Sequence, residues 1–169
     1  PDLLSPETLF YGMLPFMHDS PANPRLLVKP GTISMKVSPE LKSIRPVILG
    51  AVVRGVNIDE DAIKRLMDHQ EKLHFALGRG RKRASIGVHD LSKVSPPFRV
   101  EAVDRNHSFI PLAMEKPMTI QEILEQHPKG IDYAHLLKGM EKVPVIIDSN
   151  NDVLSFPPII NGEHTTVTT

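Results

Sequence analysis

The chain has 169 residues, 40% of them hydrophobic, which is enough for one full domain with a real core and a small appendage. Lys plus Arg and Asp plus Glu each number 20, so the formal net charge is zero and no global attraction to nucleic acid or membrane follows; any such contact must come from a local patch. The absence of cysteine excludes disulfides, thiolate nucleophiles and thiolate metal sites and fits a reducing cytoplasm, and no apolar run reaches the length of a membrane span.

The first residue is proline, so the chain reads as a piece of a longer polypeptide, with residues 1–30 the end of a preceding domain and a linker, and 31–169 the domain proper. Ser5 as N-cap and Pro6 at the first helical position predict a helix through Leu9, Phe10, Met13 and Leu14 that Pro15 stops or kinks. The proline-rich stretch His18 to Pro30 reads as linker. Ile33 to Val37 alternates like a strand with one buried face, and Val47 to Val56 is a longer apolar strand candidate. With Asp59 as N-cap, Ala62, Ile63, Leu66, Met67, Leu73, Ala76 and Leu77 fall on helical spacing, with Gly78 as the residue after the C-cap.

Further strands are expected at Ser85 to Val88, Phe98 to Val103 and Phe109 to Met114. Thr119 with Glu122 forms a capping box for a helix to about Gln126, and Asp132 to Lys138 predicts another. Val143 to Ile147 and Val153 to Phe156 flank the polar turn Ser149-Asn150-Asn151-Asp152 and predict a hairpin. Pro157 and Pro158 force an exit from the second strand into a polar loop, Asn161-Gly162-Glu163-His164. Helices and strands mix without a βαβ repeat, so the expected fold class is α+β, with a largely antiparallel, sandwich-like core flanked by helices.

Motifs for metal are lacking. Asp148-x-Asn150-x-Asp152 starts like a calcium loop, but Val153 and Ile159 stand where the loop needs glycine and glutamate. The histidines form no zinc motif either. Arg79, Arg81, Lys82 and Arg83 make the one concentrated basic patch, either a solvated helix end or a set of phosphate contacts in a nucleic-acid complex. Ser155 lacks a nucleophile elbow and reads first as a structural strand serine. His89 is a candidate proton carrier or a satisfied semi-buried histidine. Glu163, beside Ile159 and Ile160, is either a plain loop glutamate or an acceptor for a ligand hydroxyl.

Several segments together carry a family resemblance. Glu71-Lys72-Leu73-His74, the run Arg81 to Leu91, Pro96-Pro97-Phe98, His127 to Leu137 and Pro144 to His164 resemble the B3/B4 editing domain of the β subunit of archaeal and eukaryotic phenylalanyl-tRNA synthetase. The resemblance covers roughly Ile44 to Thr166. It implies hydrolysis of the tyrosyl ester formed in error on the phenylalanine tRNA, and a cytoplasmic enzyme. It also implies an α subunit as partner in an α2β2 heterotetramer, contact with the tRNA acceptor end, no membrane, and ATP and magnesium used elsewhere in the whole synthetase.

On that resemblance Ile146 and Ser155 border the editing pocket, His89 belongs to it, and Glu163 recognises the phenolic hydroxyl. A hydrolytic water is expected near Ser155 and Asn161, with Asp148, Phe156, Pro157, Pro158 and Gly162 as further pocket lining. The family also has a later strand of Ile-Asp-Val-Thr-Gly-Thr-Asp type, with an acidic residue and a threonine at the pocket, which this sequence does not include; the domain is therefore expected to be truncated on its C-terminal side. Two rivals stand beside editing. One is a non-catalytic tRNA-binding or scaffold module, such as occurs in a tRNA-modifying lysidine synthetase; the other is an unrelated small-ligand hydrolase.

Overall fold

The computed structural model describes residues 5–18 and 27–168. They group by packing into two compact units, one of residues up to 30 with 58–86 and one of 31–57 with those from 87 onward. The boundary near residue 31 remains an expectation. Leu3, Leu4 and most of the stretch read as linker lie outside the described residues.

In the first unit, α1 (Pro6–His18) begins as its cap signals dictate: Ser5 Oγ accepts from the Thr8 N–H at 3.1 Å. Of the two outcomes expected at Pro15, a stop or a kink, the stop does not occur: the helix runs on to His18. A proline there frees the Tyr11 carbonyl, and because Tyr11 is exposed, water can serve it. Helix α2 (Glu60–Phe75) is capped by Asp59, whose side chain accepts from Ala62 N–H at 2.7 Å. Its C-cap is Ala76. Gly78 is needed for space and not for a left-handed turn: a Cβ there would lie 2.5 Å from the carbonyl oxygens of His74 and Ala84.

The second unit is built on a five-stranded sheet in the order β1-β2-β5-β6-β7: β1 (Met35–Val37), β2 (Phe98–Val103), β5 (Val143–Ile147), β6 (Val153–Phe156) and β7 (Ile160–Asn161). Only the β1–β2 pair is parallel. A separate ribbon pairs β3 (Ser108–Phe109) with β4 (Met118–Thr119), and it leads into α3 (Ile120–Gln126) and α4 (Pro128–Tyr133). The fold is α+β with the largely antiparallel sheet expected of it.

The capping box at Thr119 and Glu122 forms as read, with Thr119 N–H donating to Glu122 Oε2 at 2.7 Å. Helix α4 starts earlier than expected, because His127 Nδ1 accepts from Lys129 N–H at 3.2 Å and acts as its cap; a short 3-10 helix, Ala134–Leu137, follows.

Three expected strands differ. Residues 47–56 form no ladder among the described residues and, apart from the half-buried Ile48, are exposed, Leu49 to 91%. A β-branched run favours extended backbone, but a strand also needs a neighbour to bond with. Residues 85–88 form no strand among the described residues, and the strand at Phe109 ends there because residues 112–113 turn, with Ala113 at a φ of 66°.

The main core lies on one face of the sheet. Val143, Val145, Ile147, Val153, Phe156, Ile159 and Ile160 pack with Phe109, Ile120, Ile123, Leu124 and Leu137 from the ribbon and helices. A smaller cluster joins Val94, Phe98 and Leu154 with the half-buried Ile33, Met35, Leu91 and Ile146. Alternation along β5 thus sends Val145 and Ile147 to the main core and leaves Ile146 on the opposite side.

Candidate functional site

The hairpin is held from within. Asp148 is buried, and its carboxylate accepts backbone N–H groups from Ser95 at 3.0 Å, Asn150 at 2.8 Å and Asp152 at 3.0 Å. Asn151 supplies the left-handed residue of the turn, with φ of 70°. A carboxylate bonded this way closes a turn and ties it to the Ser95 loop, so what the structure gives Asp148, expected as pocket lining, is the role of a structural anchor. Phe156 differs from expectation likewise: its ring is fully buried in the main core. Pro157 is half-buried and Pro158 buried, in the turn that carries β6 into β7.

That turn corrects the reading of Asn161 as a loop residue. Asn161 lies on β7 opposite Ser155, and Ser155 lies opposite Ile146. Three candidate residues therefore stand in one row across β5, β6 and β7. Ser155 Oγ donates to Asn161 Oδ1 at 3.1 Å, while Asn161 Nδ2 faces the Val88 carbonyl at 3.5 Å. Gly162 follows, and it must be glycine: a Cβ would stand 2.2 Å from the Val153 carbonyl oxygen. Its N–H donates to Leu154 O at 2.8 Å.

His89 joins this row through the chain end. Its Nδ1 lies 2.9 Å from Thr165 Oγ1, a fully buried hydroxyl. Its Nε2 faces Gly87, where a Cβ would meet Nε2 at 2.8 Å and Asn161 Oδ1 at 3.2 Å. Burial, with a smaller contribution from nearby His164, lowers the His89 pKa from 6.5 to about 4, so the imidazole is neutral at pH 7. His89, Asn161 and Ser155 are thus brought together, with Ile146 in the same row.

Glu163 is turned elsewhere: its Oε2 accepts from the Ala113 N–H at 2.5 Å, and its own N–H donates to Ile110 O at 2.9 Å. A left-handed alanine is costly, and the carboxylate holds that turn in place.

The basic patch divides. Arg81 is buried and its guanidinium donates to Glu71 at 2.7 Å, beside the buried His74. His74 Nε2 accepts from Ile86 N–H at 2.8 Å, so its proton sits on Nδ1, 3.2 Å from Glu71. Burial, then the Arg81 charge, lowers the His74 pKa. Arg81 therefore braces the end of α2 and is not presented to phosphate, whereas Arg79, Lys82 and Arg83 are exposed.

Thr165 and Gly87 were not singled out in the sequence. A threonine in a polar tail carries no pattern, and only the fold brings it beside a histidine 76 residues away. A shallow cavity of about 320 Å³ lined by Arg105, Gln121, Glu125, His135 and Lys138 contains none of the candidate residues.

No family model matches the chain. The phenylalanine–tRNA ligase β subunit of Methanosarcina acetivorans is 51% identical over 168 residues, 99% of this chain and 31% of that protein. The β subunit of Archaeoglobus fulgidus is 44% identical over an equal span. A crystal structure of an N-terminal fragment of the phenylalanyl-tRNA synthetase β subunit from Pyrococcus horikoshii superposes with a TM-score of 0.91 at 38% identity, covering all of this chain and 49% of that fragment.

All three relatives are parts of aminoacyl-tRNA synthetases. The chain belongs to the family of phenylalanine–tRNA ligase β subunits, and it spans about a third of the length of the curated relatives it matches.

Proposed function

We propose that this part of the β subunit is a B3/B4-type editing domain that hydrolyses tyrosyl esters of the phenylalanine tRNA. The observation that supports the reading is the row Ile146, Ser155 and Asn161 with His89 beside it, a polar corner on the face of the sheet turned away from the main core. A synthetic pocket made of apolar groups rejects an added hydroxyl only about a hundredfold, so a second site that bonds the hydroxyl is needed for higher fidelity.

The chemistry needs no side-chain nucleophile. The oxygen of a bound water adds to the ester carbonyl carbon, the bond from that carbon to the ribose oxygen breaks, and the water's proton goes to the ribose oxygen. The products are free tyrosine and tRNA with its terminal hydroxyl restored. Asn161 and Ser155 orient the water, and ribose hydroxyls assist the proton's passage. Ile146 forms an apolar wall. Glu163, with one oxygen on Ala113, offers the other to the phenol, and Pro157, Pro158 and Gly162 shape the approach. Arg79, Lys82 and Arg83 contact tRNA phosphates.

In this reading the α subunit is the partner in an α2β2 enzyme of the cytoplasm, and ester synthesis with ATP and magnesium belongs to other parts of that enzyme. Among the described residues no helix is long and apolar enough to cross a membrane.

The test is single-turnover deacylation of tyrosyl- and phenylalanyl-tRNA by the intact subunit pair, with tRNA binding measured in parallel. Selective loss of the tyrosyl ester supports editing. Hydrolysis of neither ester, with tRNA still bound, favours the scaffold reading.

A further inference from the structure

We infer that the turn closing α2 is a preformed mount for one arginine: Arg79 is held in left-handed backbone so that its guanidinium meets a phosphodiester of the bound tRNA. The inference rests on the tRNA contact proposed for this patch and assigns positioning roles to Arg81, Glu71 and His74.

The turn leaves no backbone donor to spare. Each amide from Gly78 to Arg83 donates within the segment: Gly78 to Leu73 O at 2.9 Å, Arg79 to Ala76 O at 3.3 Å, Gly80 to Phe75 O at 3.4 Å, Arg81 to His74 O at 3.2 Å, Lys82 to Arg79 O at 3.4 Å and Arg83 to Gly78 O at 2.8 Å. The carbonyls at the end of α2 are met by these amides and need no cation to satisfy them, so the helix end by itself does not account for Arg79. An anion cannot be cradled by the backbone of this turn either, so a phosphate here is held by side chains.

The turn strains its backbone, and only one of its two left-handed arginines offsets that strain within the chain. Arg79, Gly80 and Arg81 take successive φ values of 49°, 62° and 65°. Glycine adopts that region freely, whereas a side chain there crowds the backbone. Arg81 offsets the strain through its buried guanidinium, which donates to Glu71 at 2.7 Å beside His74; His74 in turn accepts from Ile86 N–H at 2.8 Å and pins the chain as it leaves the turn.

The Arg79 side chain has no hydrogen bond or ion pair among the described residues. A glycine at this position would keep the same turn without strain, so what the arginine contributes is a contact beyond this chain. A guanidinium recognises phosphate through paired N–H donors, and one mounted on a fixed turn loses less freedom on binding than one on a mobile loop.

The experiment uses the intact subunit pair in wild type, Arg79→Ala and Arg79→Gly. It measures binding of uncharged phenylalanine tRNA at several salt concentrations and hydrogen exchange of the amides at 78–83. Both variants are expected to lower the salt slope by about 1. Exchange slows about threefold or more in Arg79→Gly alone, because glycine relieves the strain and alanine retains it.

An unchanged slope in both variants overturns the inference, and so does a slope lowered in Arg79→Gly alone, which traces to flexibility and not to charge. Unslowed exchange in Arg79→Gly overturns it too, since the backbone then holds no strain. Weaker pairing of the α and β subunits in Arg79→Ala at unchanged slope assigns the arginine to a protein contact and likewise overturns it. Editing is judged apart: a wild type that hydrolyses neither ester while the Arg79 variants lower the slope rejects the editing reading and keeps this inference, and selective tyrosyl hydrolysis with an unchanged slope does the reverse.

Discussion

Ser155 and Asn161 are cross-strand partners whose side chains bond directly, Ser155 Oγ donating to Asn161 Oδ1 at 3.1 Å on the sheet face opposite the main core. A serine so engaged orients its neighbour, and its oxygen is not raised to a nucleophile by any base the structure places on it. Ser155→Ala is expected to cost about 1 kcal/mol of stability, the usual worth of one hydrogen bond, and to slow tyrosyl deacylation by about tenfold or less. Thermal melts and single-turnover rates check this. A loss of several orders of magnitude with tRNA binding intact would restore Ser155 as a direct participant.

Asp148 carries the hairpin. Its three backbone hydrogen bonds make Asp148→Ala a change of about 3 kcal/mol or more, since each abandoned buried N–H costs about 1 kcal/mol or above. Chemical denaturation of the variant measures it. The ratio of tyrosyl to phenylalanyl hydrolysis in whatever folds is expected to stay as in wild type, because the Asp148 carboxylate is spent on backbone N–H groups of the turn and the Ser95 loop.

Acid should loosen this fold through its buried histidine. The folded pKa of His89, about 4, lies below the ordinary value of 6.5, so between those pH values the unfolded chain binds a proton that the folded chain refuses. Stability is therefore full above pH 6.5 and declines as pH falls toward 4, by no more than about 3 kcal/mol from this group. His74, lowered in the same direction, adds to the decline. Unfolding midpoints followed from pH 7.5 to 4.5 should fall less steeply in His89→Gln than in wild type.

The basic patch should separate into two behaviours. Arg81→Ala leaves the half-exposed Glu71 without the guanidinium it bonds and is expected to destabilise by about 1–2 kcal/mol. Arg83→Ala is expected to leave the melting temperature unchanged and to lower the salt slope of tRNA binding by about 1. Binding titrations at several salt concentrations distinguish the two.

What could be read from the sequence was what local chemistry decides. Asp59 and the Thr119–Glu122 pair cap helices wherever those helices pack, and Val143 to Phe156 contains its own turn, so all three were legible. Val47 to Val56 failed because its β-branched residues state a preference for extension and say nothing about a pairing partner. The site was legible only as separate residues. Ser155 and Asn161 are close in sequence and face one another because a tight turn at Pro157 and Pro158 reverses the chain; His89 comes beside them through contacts of Thr165 and Val88, two residues with no signature of their own. Arg81 misled because charge alone cannot reveal that Glu71 lies within reach after the turn that ends α2.

The most direct test of the account is the ratio of kcat/KM for hydrolysis of tyrosyl-tRNA to that of phenylalanyl-tRNA, measured with the intact subunit pair and repeated with Glu163→Gln. An editing domain gives a wild-type ratio of about a hundred or more, reduced in Glu163→Gln while tRNA affinity is kept. A wild-type ratio near one would contradict it.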